Sequence, residues 1–205
     1  MSKPVYWDSA CISLSRKDPI LRLIIEQYRD HYLVPSSNPF RTLCKSIIGQ
    51  QISTIAAKSI YERFENLCSV KPQHIVKVSV KQFQSIGLSR QKIEYLKLLS
   101  KTILTKELNL SELKNSDETE AFNILTKLKG VGPWTAQMFL IFYCSNPNIF
   151  PSNDVGLING LKKFYNKDSY VDDNNPITFK ELWSPWATVG TFYIWRALDG
   201  EPLNY

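Results

Sequence analysis

The stretch LKGVGPWTAQMFLIF, Leu128 to Phe142, decides how this chain folds. A helix that ends near Leu128 needs a residue that accepts a positive φ at its end, and Gly130 can adopt that conformation. Pro133 suits the first turn of the next helix, because it has no backbone N–H to leave unpaired. The stretch therefore predicts two helices joined by a tight turn at residues 130–132.

This turn can bind an anion through its backbone. The first N–H groups of a helix that begins at Pro133 have no partner within that helix, and together with the helix dipole they attract negative charge. Gly132 lets a phosphate approach without a Cβ in the way. Such a cradle fixes position and reads no base. The alternative is a plain corner between two helices, with glycines there for steric reasons.

Helical periodicity dominates the rest of the 205-residue chain. Apolar residues recur at helical spacing, and serine, aspartate or proline marks the expected helix starts, as at Asp18–Pro19. Asp18–Pro19 opens a helix expected to end near Val34, and Ser184–Pro185 predicts the start of the last helix. The polar segments 106–121 and 165–176 predict loops. The pattern predicts an all-α protein of roughly ten short helices.

The charge balance favours a polyanionic partner. The net charge is +6 and the pI is about 9.1, so nucleic acid is the first candidate and a membrane surface the second. The four cysteines form no zinc or iron–sulfur pattern, so we expect reduced thiols and no metal site built from them. With no apolar signal region at the N-terminus and no bilayer-length stretch, we expect a soluble intracellular protein, in the cytoplasm or nucleoid, or in the nucleus of a eukaryote.

The hairpin is one part of a larger resemblance. LKGVGPWTAQMF resembles the helix-hairpin-helix of the HhH-GPD DNA glycosylase superfamily, whose signature continues through a Pro-rich loop to an acid. That loop is NPNIFPSNDVGLINGL here, and Asp154 lies 22 positions after Gly132 (154 − 132). Segments 41–64, 87–99 and 184–198 are similar to segments of the 3-methyladenine DNA glycosylase II branch.

The resemblance implies a fold of two helical subdomains with the active-site cleft between them. One subdomain is expected at about residues 40–144 and contains the helix-hairpin-helix, 119–143. The other is expected to combine residues 1–39 and 145–205. The whole chain is then a single glycosylase unit.

The resemblance places the catalytic carboxylate at Asp154. Cleavage of an N-glycosidic bond builds positive charge on the deoxyribose, and a carboxylate beside C1′ stabilises that charge or activates a water against it. A helix N-terminus near Asp154 favours its ionised form. The alternative is that Asp154 only caps that helix, although Asn153 can do the capping instead.

Two tryptophans, Trp134 and Trp195, match aromatic pocket positions of the resembled branch. A cationic alkylated purine is attracted by aromatic faces and leaves with little acid catalysis. Ordinary core packing is the alternative for both rings. Further aromatic candidates, which the sequence does not rank, are Trp183, Trp186, Tyr28 and Tyr193.

Trp134 also bears on the type of reaction. In lyase members of the superfamily a lysine occupies this position, and its amine attacks C1′ and leads to strand cleavage. Lys129 lies on the other side of the turn. The resemblance therefore implies a monofunctional DNA glycosylase that excises alkylated purines of the 3-methyladenine and 7-methylguanine type and leaves an abasic site.

A base buried in a duplex must be flipped out, and an inserted side chain usually fills the gap. The resemblance makes Gln51 the expected wedge, with Gln50 beside it on the duplex. A polar helix break that faces solvent is the alternative for both glutamines. The expected DNA-binding residues are Gly130, Gly132, Lys129, Thr135, Gln50 and Gln51.

The expected partner is damaged double-stranded DNA, bound by a monomer that does not associate with membranes. No cofactor is expected beyond the monovalent cation that hairpin carbonyls often hold in the resembled family. Two alternatives stay open: a glycosylase for another lesion, such as uracil, hypoxanthine or a mismatched base, and a non-catalytic module that only binds DNA. The acid at Asp154 argues against the last, because a binding module needs no carboxylate on that loop.

Overall fold

The computed structural model describes residues 3–165 and 176–199, which form twelve α-helices and one short 3-10 helix. No β-strand occurs among these residues, and the predicted all-α fold is confirmed. In chain order the helices are α1 (Trp7–Lys17), α2 (Pro19–Gln27), α3 (Pro39–Gly49), α4 (Thr54–Cys68), α5 (Pro72–Ile75), α6 (Val80–Ser85), α7 (Arg90–Leu104), α8 (Glu118–Thr126), α9 (Pro133–Phe142), α10 (Val155–Phe164), α11 (Pro176–Trp183) and α12 (Ala187–Asp199).

The structure departs from the sequence-based expectations in four places. Helix α1 was not predicted, although Trp7, Ala10 and Leu14 show helical spacing and are buried. Helix α2 ends at Gln27, well before the expected end near Val34. The last helix begins at Ala187, because the chain first makes a separate turn over residues 183–186, in which the Trp186 N–H donates to the Trp183 carbonyl at 2.7 Å. The predicted loop at 165–176 lies almost wholly outside the described residues. The predicted loop at 106–121 is interrupted by a 3-10 helix, Glu112–Lys114.

The chain divides into two compact units. The terminal unit combines residues 1–35 and 145–205, and the central unit comprises residues 36–144. In the described part of the chain no helix is long and apolar enough to cross a membrane. None of the four cysteines forms a disulfide; Cys44 and Cys68 are buried, whereas Cys11 and Cys144 are only half-buried.

A buried aspartate, Asp18, organises the terminal unit. It is 3% exposed and caps α2 by accepting the N–H groups of Ile20 and Leu21 at 3.0 and 2.9 Å. Its other oxygen accepts the Tyr165 hydroxyl at 2.7 Å and the Trp183 indole N–H at 2.8 Å. Burial raises the pKa of Tyr165, and the carboxylate raises it further, so the hydroxyl stays protonated and donates. One carboxylate thus joins α2 to the end of α10 and to α11.

Helix α9 forms the centre of the central unit, where it packs on α3 and α8. Seven of its ten residues are buried: Thr135, Ala136, Met138, Phe139, Leu140, Ile141 and Phe142. A helix that is apolar on nearly all sides belongs inside a core. The turn that precedes α9 is therefore attached to a helix that is buried on nearly all sides.

Candidate active site and nucleic-acid interface

The hairpin turn has the backbone conformation that its glycines predict. After α8 the chain turns at Leu128, whose carbonyl accepts the Val131 N–H at 3.0 Å. Gly130 has a φ of 88°, so the predicted positive φ is confirmed. Gly132 is the N-cap of α9, and Pro133 is its first residue, also as predicted.

The two glycines of the turn differ in what surrounds them. A Cβ added at Gly130 would overlap the Tyr95 ring and lie 2.7 Å from its Cβ, so the α7 side chain requires glycine here. A Cβ added at Gly132 would meet no atom within 4 Å. Packing therefore explains Gly130, whereas the protein itself gives no steric reason for Gly132.

The start of α9 has the features of an anion site. Gly132 contributes no side-chain cap, and the first bond of the helix runs from the Ala136 N–H to the Gly132 carbonyl at 3.0 Å. The N–H groups before Ala136 have no carbonyl of this helix to bind, and the helix dipole adds partial positive charge. This arrangement can hold one phosphate through backbone N–H groups.

Gln50 fixes the hairpin from within. Its Nε2 donates to the Gly130 carbonyl and to the Thr135 hydroxyl, each at 2.8 Å. Thr135 is 1% exposed, so its side chain supports the turn, and a phosphate contact would have to use its backbone N–H. The predicted contact of Gln50 with DNA stays a prediction, but its amide nitrogen is already used inside the protein.

Lys92 holds the turn between α3 and α4, a role that the sequence did not indicate. Its ammonium donates to the carbonyls of Ile48 and Gln50 at 2.7 and 2.8 Å. Burial lowers the pKa of Lys92, but both bonds require its protonated form. Gln51, which follows Gln50 in this turn, is exposed and has a φ of 57°, an unusual conformation for a residue with a side chain.

Lys129, an expected DNA contact, is paired within the protein. Its Nζ lies 2.5 Å from Glu94 Oε1, and both side chains are more than half exposed. The hydrogen bond to Glu94 raises the pKa of Lys129, which keeps the amine protonated. An exposed pair of this kind is easily opened, so Lys129 can exchange Glu94 for a phosphate.

Trp134 is half-buried at the start of α9. The Cη2 atom of its ring lies 3.9 Å from the point where a Cβ at Gly49 would stand, so the ring reaches the end of α3. Gly49 immediately precedes the Gln50–Gln51 turn. The aromatic residue, the turn and the hairpin thus lie together in the central unit.

Asp154 lies in the terminal unit and accepts two hydrogen bonds on the same oxygen. Its Oδ1 takes the Leu157 N–H and the Trp195 indole N–H, both at 2.7 Å. Asp154 itself therefore caps α10, and the suggestion that Asn153 does so is wrong. Capping does not exclude catalysis, because the same two donors that cap the helix also fix the position of the carboxylate.

Trp195 is only 5% exposed, and its N–H is directed at the acid. A Cβ at Gly156 would stand 3.1 Å from Asp154 Oδ1 and 3.3 Å from Trp195 Cδ1, so this glycine leaves room for the contact. Sequence reasoning paired neither Trp195 nor Gly156 with the acid. The predicted base-pocket role of Trp195 stays a prediction, whereas its contact with Asp154 is observed.

The other aromatic candidates fall into two groups. Trp183 and Tyr193 are at most 1% exposed and belong to the core of the terminal unit. Trp186 stacks on Tyr6 with ring centroids 5.8 Å apart, and Tyr28 lies under the Arg196 guanidinium. Each of the four therefore has a structural role.

The predicted cation stays a prediction. Among the described residues no group of three or more His, Cys, Asp or Glu side chains can hold a metal ion. A site in the hairpin would have to use backbone carbonyls, and the Gly130 carbonyl already accepts the Gln50 amide.

Comparison with known proteins identifies the family. The family model of HhH-GPD superfamily base excision DNA repair proteins matches residues 44–188, which include both the hairpin and Asp154. The chain therefore belongs to this superfamily.

A curated relative is named as a 3-methyladenine DNA glycosylase. The chain is 29% identical over 188 residues to the putative DNA-3-methyladenine glycosylase YfjP of Bacillus subtilis, a match that covers 87% of this chain and 66% of that protein. The chain thus spans just under two thirds of the length of this relative.

Two solved structures have a similar fold. The DNA-3-methyladenine glycosidase from Bacillus halodurans is 30% identical, with a TM-score of 0.74 over 97% of this chain and 93% of that one. The Schizosaccharomyces pombe 3-methyladenine DNA glycosylase Mag1, in complex with abasic DNA, gives a TM-score of 0.81 at 23% identity, over 92% and 95% of the two chains. The second likeness concerns the fold alone.

The surroundings of the two hairpin glycines predict stability effects of very different size. Gly130→Ala should lower the free energy of unfolding by about 2 kcal/mol or more, because it combines a positive φ with a clash against Tyr95. Gly132→Ala should change it by less than about 0.5 kcal/mol, because the new methyl group meets open space. Urea denaturation of both variants measures the difference, and equal losses would contradict the packing described here.

Proposed function

We propose that this protein is a monofunctional DNA glycosylase that flips alkylated purines out of duplex DNA and hydrolyses their N-glycosidic bond. The substrates are purines of the 3-methyladenine and 7-methylguanine type, and the product is an abasic site. The membership of the superfamily and the names of the relatives support this class of reaction. The observation that carries the proposal is the double hydrogen bond on Asp154 Oδ1.

The geometry of Asp154 suits the chemistry. The transition state carries positive charge on the deoxyribose, and a carboxylate stabilises it best when the carboxylate is fixed before the charge develops. The Leu157 N–H and the Trp195 indole supply that fixation. In this proposal Trp195 is a positioning residue for the acid, and Asp154 is the catalytic residue.

The hairpin and Trp134 account for substrate binding. The backbone cradle before Ala136 binds a phosphate of the duplex, and Gly132 lets this phosphate come close. The half-buried ring of Trp134 offers a face to a cationic purine, which is attracted by the electron-rich surface of an indole. Such a base needs little help to leave, which fits a site with one acid on the Pro-rich loop.

Three observations support the absence of lyase activity. Trp134 occupies the place at which lyase members carry their lysine. The pKa of Lys129 is raised by its bond to Glu94, so this nearby amine is a poor nucleophile. Lys92 uses its protons on two backbone carbonyls. A Schiff base requires a neutral amine, and the hydrogen-bond partners of both lysines favour the protonated form.

A panel of duplexes, each with one lesion, tests the proposal. The protein should release 3-methyladenine and 7-methylguanine, and strands should break only after alkali converts the abasic sites. Release of only uracil, hypoxanthine or a mismatched base would show that the protein is a glycosylase for a different class of lesion. Strand breaks without alkali would contradict the monofunctional assignment, and no release from any lesion would leave only a DNA-binding module.

Trp195→Phe tests the positioning of the acid. The variant keeps an aromatic ring but removes the N–H that reaches Asp154 Oδ1. We expect the single-turnover rate constant of base release to fall roughly tenfold or more, as is typical for a lost hydrogen bond to a charged group. Affinity for a duplex with an abasic analogue should change by less than about threefold, because binding does not use this bond.

Trp186→Phe is the matched control, because Trp186 stacks on Tyr6 and its variant should keep the wild-type rate. Gly156→Ala should repeat the loss of rate, because its methyl group presses on both Asp154 and Trp195. A wild-type rate for Trp195→Phe would contradict the positioning role. Loss of affinity without loss of rate would show that Trp195 forms a pocket wall instead.

A further inference from the structure

The turn between α3 and α4 exposes apolar side chains. Residues 51–55 are all exposed, and this segment, called the tip below, includes two isoleucines. Ile55 is 83% exposed and Ile52 is 37% exposed. Scattered exposed apolar residues are common, so exposure alone identifies no function.

Hydrogen bonds hold the chain on both sides of the tip. On its α3 side, the Lys92 ammonium binds two carbonyls, and the Gln50 amide binds the hairpin. On its α4 side, the Ser53 hydroxyl accepts the Ala56 N–H at 3.3 Å and caps the helix. Between them, Gln51 has a positive φ, which costs about 1–3 kcal/mol. The backbone around the tip is thus strained at Gln51 and fixed by hydrogen bonds on both sides.

A fixed apolar protrusion suits insertion into a base stack. Side chains that wedge between base pairs are typically apolar, because they replace the stacking area that the separated bases lose. Gln51 has a polar amide and covers this area poorly. Ile55 lies four residues after Gln51, so at most about 14 Å of extended chain separates them. Both residues can therefore reach the same few base pairs of a duplex.

Positive charge follows the tip along α4 and the part of α3 that packs on it. Lys58 is exposed and lies one helical turn after Ile55, on the same face of α4. Burial lowers the pKa of Lys45 on α3, and the charges of Arg41 and Lys58 lower it further, so like charges act on one another here. Arg41 is paired with Glu65. An exposed apolar tip with Lys58 one helical turn after Ile55 matches a polyanion with an apolar interior, which describes duplex DNA.

We propose that Ile55, together with Ile52, packs into the minor groove beside the flipped nucleotide and gives the protein its preference for duplexes whose stack is interrupted. This inference rests on the proposed function. In this inference the isoleucines make the apolar contacts with the neighbouring base pairs. Gln51 fills the gap that the flipped base leaves. The Gln50 amide joins the tip to the hairpin, so both belong to one DNA-binding surface of the central unit.

Ile55→Ala tests this assignment by fluorescence anisotropy on two duplexes of equal length, one with a central tetrahydrofuran abasic analogue and one intact. Loss of the isoleucine should weaken binding to the abasic duplex roughly tenfold, because most of a buried apolar side chain is removed. Binding to the intact duplex should change less than about twofold. Ile12→Ala is the matched control, because Ile12 is 56% exposed on α1 of the terminal unit and should change neither affinity.

Other outcomes would overturn the inference. Equal losses on both duplexes would show a general surface effect, and unchanged binding would show that Ile55 does not touch DNA. A concentration-dependent dimer of the wild type, lost in Ile55→Ala by analytical ultracentrifugation, would make the tip a contact between two copies of the chain. Release of alkylated bases by the wild type separates the two claims: with release intact, a negative Ile55 result contradicts only the isoleucine contact.

Discussion

A hydrogen bond between a tryptophan indole and a helix-capping aspartate, made twice in the terminal unit, is the interaction on which this protein depends. Trp183 donates to Asp18 at 2.8 Å and Trp195 donates to Asp154 at 2.7 Å. Asp18 is 3% exposed and accepts four hydrogen bonds, so both of its oxygens are engaged in holding helices together. Asp154 is half-buried on the Pro-rich loop, where the same device orients a carboxylate that is less enclosed than that of Asp18.

In the proposed function, the central unit binds DNA through backbone groups, and its side chains hold that backbone in place. In the proposed function, Gly132 and the first N–H groups of α9 bind a phosphate, a contact that reads no base and suits an enzyme that must search any sequence. The side chains that the sequence suggested as DNA contacts are partly turned inward, since Gln50 holds the Gly130 carbonyl and Thr135 is buried. Rigid support of this kind is what fixed binding geometry requires.

Local sequence rules predicted much of the fold, but few of the long-range hydrogen bonds that hold the hairpin and Asp154 in place. The positive φ of Gly130, the start of α9 at Pro133 and the general all-α character follow from the conformational limits of glycine and proline and from helical spacing. The bonds from Gln50 to Gly130 and from Trp195 to Asp154 join residues 80 and 41 positions apart, where periodicity and capping carry no information. Ser184–Pro185 shows the opposite failure, because a valid local signal was overridden by a turn that precedes α12.

The most direct test of the account is single-turnover release of 7-methylguanine from a duplex by Asp154→Asn, measured beside the wild type. Asparagine keeps the size of the side chain and an oxygen that can cap α10, but removes the negative charge. We expect the fold to persist by circular dichroism and the rate constant of release to fall by about a thousandfold or more. A variant that folds and keeps a rate within about threefold of the wild type would show that Asp154 only caps its helix.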